Sequence, residues 1–212
     1  MVTEHQYLDK YPISANSKTL ILGTIHPHRT EEFMVPFFYG NRNSLWNLLS
    51  EAFPTELPKP ITLPNIIHFL DDRKIAMSDT IKSCRRTNAG ALDSDLIPIE
   101  LNDDLPYQIQ QSNIQNIFCT SSFGKNNAFK LFYENILGLR LTHKIRTDRE
   151  ILLPNKIFGR PVLLKALISP SGAANISLSK NPAYLAEFDK YKHYPAPVQA
   201  FKINYYKRLF SK

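Results

Sequence analysis

Apolar positions along the chain gather into short runs separated by polar stretches rich in proline and glycine. The first run, Thr19 to Gly23 (TLILG), is continuous and β-branched or aliphatic, the pattern of a strand buried on both faces of a parallel sheet. A long connection follows, TIHPHRTEEFMVPFFYGNRN. From Ser44, a good cap, Leu45, Trp46, Leu48 and Leu49 then recur at helical spacing until Pro54. A second helix is predicted from near Pro64 to about Leu70, and a strand from Lys74 to Asp79, after which Asp79 caps a turn that includes TIKSC. Ile114 to Thr120 is another buried-strand pattern. It leads through SSFGKNN into a helix bearing Ala128, Leu131, Phe132 and Leu137. Residues 139–160 predict a short hairpin, Pro161 to Ser169 a strand entering the turn-rich PSGAAN, and Pro182 to Tyr191 and Val198 to Phe210 two terminal helices.

Strands alternating with helices, without an internal repeat or a dividing linker, predict an α/β fold. The simplest form is a three-layer α/β/α sandwich with a central, mostly parallel sheet, one domain over residues 1–212. In such sheets ligands bind beyond the carboxyl ends of the strands. The segments Thr24 to Asn43, Asp79 to Asp95, Ser121 to Asn127 and Pro170 to Asn175 are therefore expected to meet.

Composition narrows the class. With 212 residues, 43% hydrophobic and 21% charged, the chain can enclose a core, and no apolar run is long enough to span a bilayer. The amino-terminal residues have the wrong order for a secretory signal, and Cys84 and Cys119 form neither a disulfide framework nor a CxxC pair, so a cytoplasmic protein without a membrane partner is expected. The net charge of +7 makes a polyanionic partner plausible on electrostatic grounds. Seven cations, Lys180, Lys190, Lys192, Lys202, Lys207, Arg208 and Lys212, face only Glu187 and Asp189 in the tail, which thus holds five of those seven net charges. This tail either steers DNA or forms a solvated helix surface.

P-loop, dinucleotide-fingerprint and HExxH patterns are absent, and His26 and His28 lack an evident set of further ligands, so this pair reads as hydrogen-bonding, acid–base or surface residues before metal ligands. In FFYGNRNSLW, Phe37, Phe38 and Tyr39 can offer a flat surface to a nucleobase while Asn41 and Asn43 align a polar edge or a water. The same residues are equally explained as core anchors and turn formers. In SPSGAAN, Ser169, Ser171 and nearby amides can approach a phosphate backbone, or the segment is simply a tight strand-to-helix turn.

Four ordered blocks, LILGTIHP, FFYGNRNSLW, IAMSDTIKSCRRTNAGALDSDL and LISPSGAAN, together resemble the uracil-DNA glycosylase superfamily, especially its mismatch-specific and hypoxanthine-excising branches. The resemblance implies an α/β/α fold and hydrolysis of the N-glycosidic bond of a deaminated base, uracil or hypoxanthine, without a metal or an organic cofactor. It implies a monofunctional enzyme, a monomer acting on single- or double-stranded damaged DNA and leaving an abasic site. Carried over, Gly23, Thr24 and Ile25 line the base pocket, and His26 stands where relatives carry a carboxylate or asparagine beside the proline. Asn43 matches a water-placing or base-reading asparagine, so Asn43 and His26 are the catalytic candidates. Phe38 and Tyr39 compete for the position that stacks on the base. Ser169, Pro170, Ser171, Gly172 and Asn175 correspond to the DNA-backbone loop, which here lacks the histidine of some uracil-removing relatives. Two other classes stay open: a non-catalytic nucleic-acid-binding member of the same fold, and a small-molecule N-glycoside or phosphate-ester hydrolase.

Overall fold

The computed structural model describes residues 1–41, 44–88 and 92–211. Among them the strands are β1 (Val2–Glu4), β2 (Thr19–Gly23), β3 (Ile75–Asp79), β4 (Ile81–Arg86), β5 (Leu96–Leu101), β6 (Asn116–Cys119), β7 (Glu150–Leu153) and β8 (Val162–Ala166). The helices are α1 (Ser44–Ala52), α2 (Leu63–Arg73), α3 (Leu105–Gln110), α4 (Ala128–Lys130), α5 (His143–Asp148), α6 (Asn155–Phe158), α7 (Asn175–Leu178), α8 (Pro182–Ala186), α9 (Phe188–Tyr191) and α10 (Pro197–Phe210). A π-helical stretch, Leu131–Ile136, continues α4. The contacts divide the chain into two compact units, Met1–Asn41 with Lys74–Leu167, and Arg42–Arg73 with Ile168–Lys212.

The first unit holds an α/β fold with a largely parallel sheet, consistent with a three-layer sandwich. Its five strands run in the order β3-β2-β6-β8-β7, parallel except for the edge strand β7. The register explains the core. Leu20 lies beside Ala76 and Ile117, Ile117 beside Leu164, and Cys119 beside Leu22 and Ala166. Because side chains alternate faces with period two, these residues share one face. There they pack with Leu105 and Ile109 of α3, Phe129 and Phe132 of the α4–π segment, Ile145 of α5 and Phe158 of α6.

A second, antiparallel sheet in this unit, β1-β4-β5, departs from the expected turn over TIKSC. That segment is extended because residues 2–4 and 96–101, far away in sequence, supply ladder partners on both sides. Its Ile81 and Cys84 join Leu96 and Leu131 in a separate small core. Residues 139–160 contain only one arm of the predicted hairpin, β7. Its partner is β8, which follows α6.

In the second unit, α1 packs on α10, and Leu178, Tyr184, Tyr191 and Phe201 form a core with Ile168, Val198 and Ala200. The helix expected over Pro182 to Tyr191 is broken at Glu187 into α8 and α9. The Arg73 guanidinium lies 4.1 Å from the Phe53 ring centroid and 4.9 Å from that of Phe69, and bonds the Glu56 carboxylate and the Phe210 carbonyl. No helix among the described residues is long and apolar enough to cross a membrane.

Candidate functional site

In the first unit the chain leaves β2 toward β3 on one side and later places β6 on the other, so the strand order reverses beside β2. Such a reversal opens a crevice at the carboxyl ends of the strands. Here those ends supply Gly23 and Thr24 after β2, Asp79 at the end of β3, and Thr120 and Ser121 after β6.

Thr24 Oγ1 donates to Asp93 Oδ2 at 3.1 Å and lies 3.3 Å from Ser121 Oγ, which in turn accepts the Ala128 N–H at the start of α4. Asp93 is also held through its backbone, since Asn126 donates to the Asp93 and Leu96 carbonyls. Burial pushes the Asp93 carboxyl up to about 6; hydrogen bonds from Ser121 and Thr24 resist the rise, and the nearby Asp79 charge adds to it. A carboxyl in that range exchanges its proton near neutral pH.

Asp79 is buried and hydrogen-bonded by His5. His5 Nδ1 accepts the N–H groups of Tyr7 and Leu8, so the ring proton resides on Nε2, which donates to Asp79 Oδ2 at 2.7 Å. The other carboxylate oxygen points at Gly23. A Cβ built there would lie 2.2 Å from Asp79 Oδ1 and 2.5 Å from the Tyr39 hydroxyl, so only glycine lets both groups approach the backbone. Tyr39, in a left-handed conformation with φ 59°, forms a 2.5 Å hydrogen bond between its hydroxyl and Thr120 Oγ1. Burial first, and then the Asp79 and Asp93 charges, keep that phenol protonated far above its ordinary range.

The remaining expected residues take distinct places. Phe38 is 1% exposed, its ring packed on Phe37, His5 and Tyr7. Ile25 is half-buried against the small core of Ile81 and Cys84. His26 is buried with both ring nitrogens engaged: Nε2 accepts the Gln6 N–H at 3.0 Å, so Nδ1 carries the proton and donates to the Pro27 carbonyl at 2.6 Å. Burial lowers its pKa, which keeps the ring neutral. Arg86, buried, ties the His26 carbonyl to β4. Asn43 lies outside the described residues. In the second unit, Ser169, Pro170 and Ser171 lead through a 3-10 turn at Gly172 into Asn175 at the start of α7, with Ser171 and Gly172 exposed and Pro170 buried. Among the described residues no three His, Cys, Asp or Glu side chains gather as metal ligands.

The structure thus brings Gly23, Thr24 and Tyr39 to one place. The segments Asp79 to Asp95 and Ser121 to Asn127 were expected at this crevice, but Asp79, Asp93 and Ser121 were not singled out within them, and His5 and Thr120 lay outside every segment expected there. The position of Asp79 at the end of an apolar run was the available signal for one of them. The basic tail is also less available than its composition suggests. Lys190 and Arg208 pair with Glu187, Lys192 pairs with Asp189, and Lys202 is buried, while Lys180 and Lys207 are exposed.

No family model and no curated protein matches the chain. Among solved structures it is similar to a solution NMR structure from Methanosarcina acetivorans, a protein provisionally assigned as a uracil DNA glycosylase. The two are 16% identical with a TM-score of 0.52, and the match covers 99% of each chain. At that identity the likeness is one of fold, and the chain has an α/β architecture resembling that of the archaeal protein.

Proposed function

We propose that this chain is a monofunctional DNA glycosylase of the uracil-DNA glycosylase superfamily, nearest in its motifs to the mismatch-specific and hypoxanthine-excising branches. In this reading residues 1–212 act as one domain, a cytoplasmic monomer with a three-layer fold. It hydrolyses the N-glycosidic bond of uracil or hypoxanthine in damaged DNA, without a cofactor. The observation that carries the reading is a carboxyl, Asp93, held near 6 by burial and hydrogen-bonded to Thr24 at the strand-order reversal, beside a second carboxylate, Asp79.

The chemistry follows from those groups. The target nucleotide is extruded so that its base lies against Gly23, Thr24 and Ile25 and stacks on Tyr39. Tyr39 is preferred to Phe38 because the Phe38 ring is enclosed by other rings. As the C1′–N bond breaks, positive charge grows on the sugar, and the Asp79 and Asp93 carboxylates stabilise it. Water adds to C1′, one water proton passes to ionised Asp93, and the base departs as an anion that takes a proton from solvent. Asn43 places the water. His26, neutral and anchored at both nitrogens, ties the Pro27 turn after β2 to Gln6. Ser169, Pro170, Ser171, Gly172 and Asn175 receive the DNA backbone.

The test is a single-turnover assay at low salt, on duplexes and single strands containing uracil, hypoxanthine or xanthine, that detects free base separately from strand cleavage. Base release without nicking, lost in Asp93→Asn and Asn43→Ala with the fold retained, is the expected result. A second reading, nucleic-acid binding without chemistry, is favoured by the engagement of both His26 ring nitrogens. Measurable DNA binding with no release across the panel selects it.

A further inference from the structure

Lys202 does not behave as a member of a basic surface. It lies on α10 at 1% exposure, and its ammonium donates to the Pro170 carbonyl at 3.1 Å, the Ser171 carbonyl at 3.0 Å and Asn175 Oδ1 at 3.0 Å. An ammonium has three protons, so its donor capacity is fully matched to one loop. Four residues on, and hence on the same helix face, the Tyr206 hydroxyl donates to the Ile168 carbonyl at 2.7 Å. One face of α10 therefore grips Ile168 to Asn175 at both ends.

We propose that Lys202 is the positioning residue of the loop 170–175: by drawing three oxygens to one point it sets which way the loop's peptide groups face. In a trans peptide the carbonyl and the following N–H point in opposite directions. With the Pro170 and Ser171 carbonyls turned inward onto Nζ, the Ser171 N–H reaches Ser169 Oγ at 3.3 Å and the Gly172 N–H turns outward. The outward side is open at Gly172, where an added Cβ would meet nothing within 4 Å. Lys202 thus acts through a backbone donor and does not itself meet the ligand. That ligand is the DNA backbone of the function proposed above, and this part of the inference rests on that reading.

The clamp is also conditional. Burial lowers the Lys202 pKa to about 8, and its three partners are neutral oxygens that leave the charge uncompensated. The carboxylates of the elements nearest in the fold are engaged elsewhere: Glu51 of α1 with Lys59 and Gln199, Glu187 with Lys190 and Arg208, and Asp189 with Lys192. Loss of the proton removes one of the three donated bonds and the charge that strengthens the other two.

Two readouts separate the clamp from the DNA reading. Backbone amide shifts of Ser171, Gly172 and Ala174 are followed by NMR from pH 6.5 to 9.5, and affinity for an abasic-site duplex is measured over the same range at fixed salt. In the wild type the amides should titrate with a midpoint near 8, and affinity should fall across it. Lys202→Met should abolish both titrations and weaken binding about tenfold at pH 7, the cost of misdirecting the Gly172 donor to a phosphate. Asn175→Ala, which removes a single bond, should fall between them. Should Lys202→Met fail to fold, the wild-type titration and Asn175→Ala carry the test. Amide shifts that stay flat to pH 9.5 overturn the clamp. Shifts that titrate while affinity stays constant uphold the clamp and overturn the assignment of this loop to DNA.

Discussion

Replacing Asp93 by asparagine should stabilise the protein at alkaline pH while removing its chemistry. The native carboxyl titrates at about 6 and the unfolded one at 3.8. Between those values the native state keeps a proton that the unfolded chain has released, so wild-type stability falls as pH rises through the window. Above it, holding the ionised group in place costs about 3 kcal/mol at 1.36 kcal/mol per pKa unit. Asparagine escapes this cost but keeps only part of the bonding to Thr24 and Ser121, a loss of about 1 kcal/mol, and the partial exposure of the site screens the rest. A net gain of about 1–2 kcal/mol is expected at pH 8, and it vanishes near pH 4, where the native carboxyl is neutral and the bonding loss roughly offsets the remaining ionisation of the unfolded chain. Urea denaturation of the two proteins at pH 4, 6 and 8 measures this directly, because the midpoint shifts at constant slope when only stability changes. In parallel, the wild-type single-turnover rate should rise with pH to a plateau above 6, and the variant should be inactive throughout. A variant less stable than wild type at pH 8, or an equal difference at pH 4 and 8, would refute the argument that burial sets this carboxyl.

Other positions give sharper local tests. Gly23→Ala drives a methyl onto Asp79 Oδ1 and the Tyr39 hydroxyl and should lower stability by about 1–3 kcal/mol with loss of activity, as seen by thermal melting beside the base-release assay. His5→Ala leaves the buried Asp79 carboxylate without its ring donor and should cost about 3 kcal/mol, whereas His5→Gln, which offers an N–H from a similar distance, should recover part of it in the same denaturation series. Tyr39→Phe removes only the bond to Thr120, at about 1 kcal/mol. If the ring stacks on the base, substrate affinity should survive this change and fall in Tyr39→Ala.

The fold was more readable than the site. LIL, IAM and IFC, at the heart of β2, β3 and β6, are continuous apolar runs, and such runs announce a buried parallel sheet from local sequence alone. Ser44 and the Leu45–Leu49 spacing likewise located α1, and Pro182 and Pro197 lie at the first turns of α8 and α10. What escaped depends on partners distant in the chain. TIKSC is a strand because residues 2–4 and 96–101 flank it, and neither pairing leaves a mark within the five residues themselves. His5 looks like an ordinary polar residue in an amino-terminal segment until β1 pairs with β4 and brings it to Asp79. Asp93 lies in a segment expected at the crevice, but nothing in the local sequence ALDSDL sets it apart from Asp95. The elevated pKa of Asp93 arises from burial that only the folded chain provides. Lys202 was counted with six other tail cations because charge is visible in a sequence and burial is not.

The second unit is assembled from two stretches of chain, Arg42–Arg73 and Ile168–Lys212, with β3 to β8 made in between. During synthesis α1 therefore emerges long before its partner α10, and must wait through nearly a hundred residues that build the other unit. Domains generally mature from the amino terminus as the ribosome proceeds, and contacts between such distant segments form slowly. The parallel sheet and its carboxylates can assemble once β8 is made. The loop of Ser169 to Asn175 takes its shape only when Lys202 and Tyr206 arrive on the final helix. Premature termination within α10 would then yield a chain with an assembled sheet and an unshaped loop.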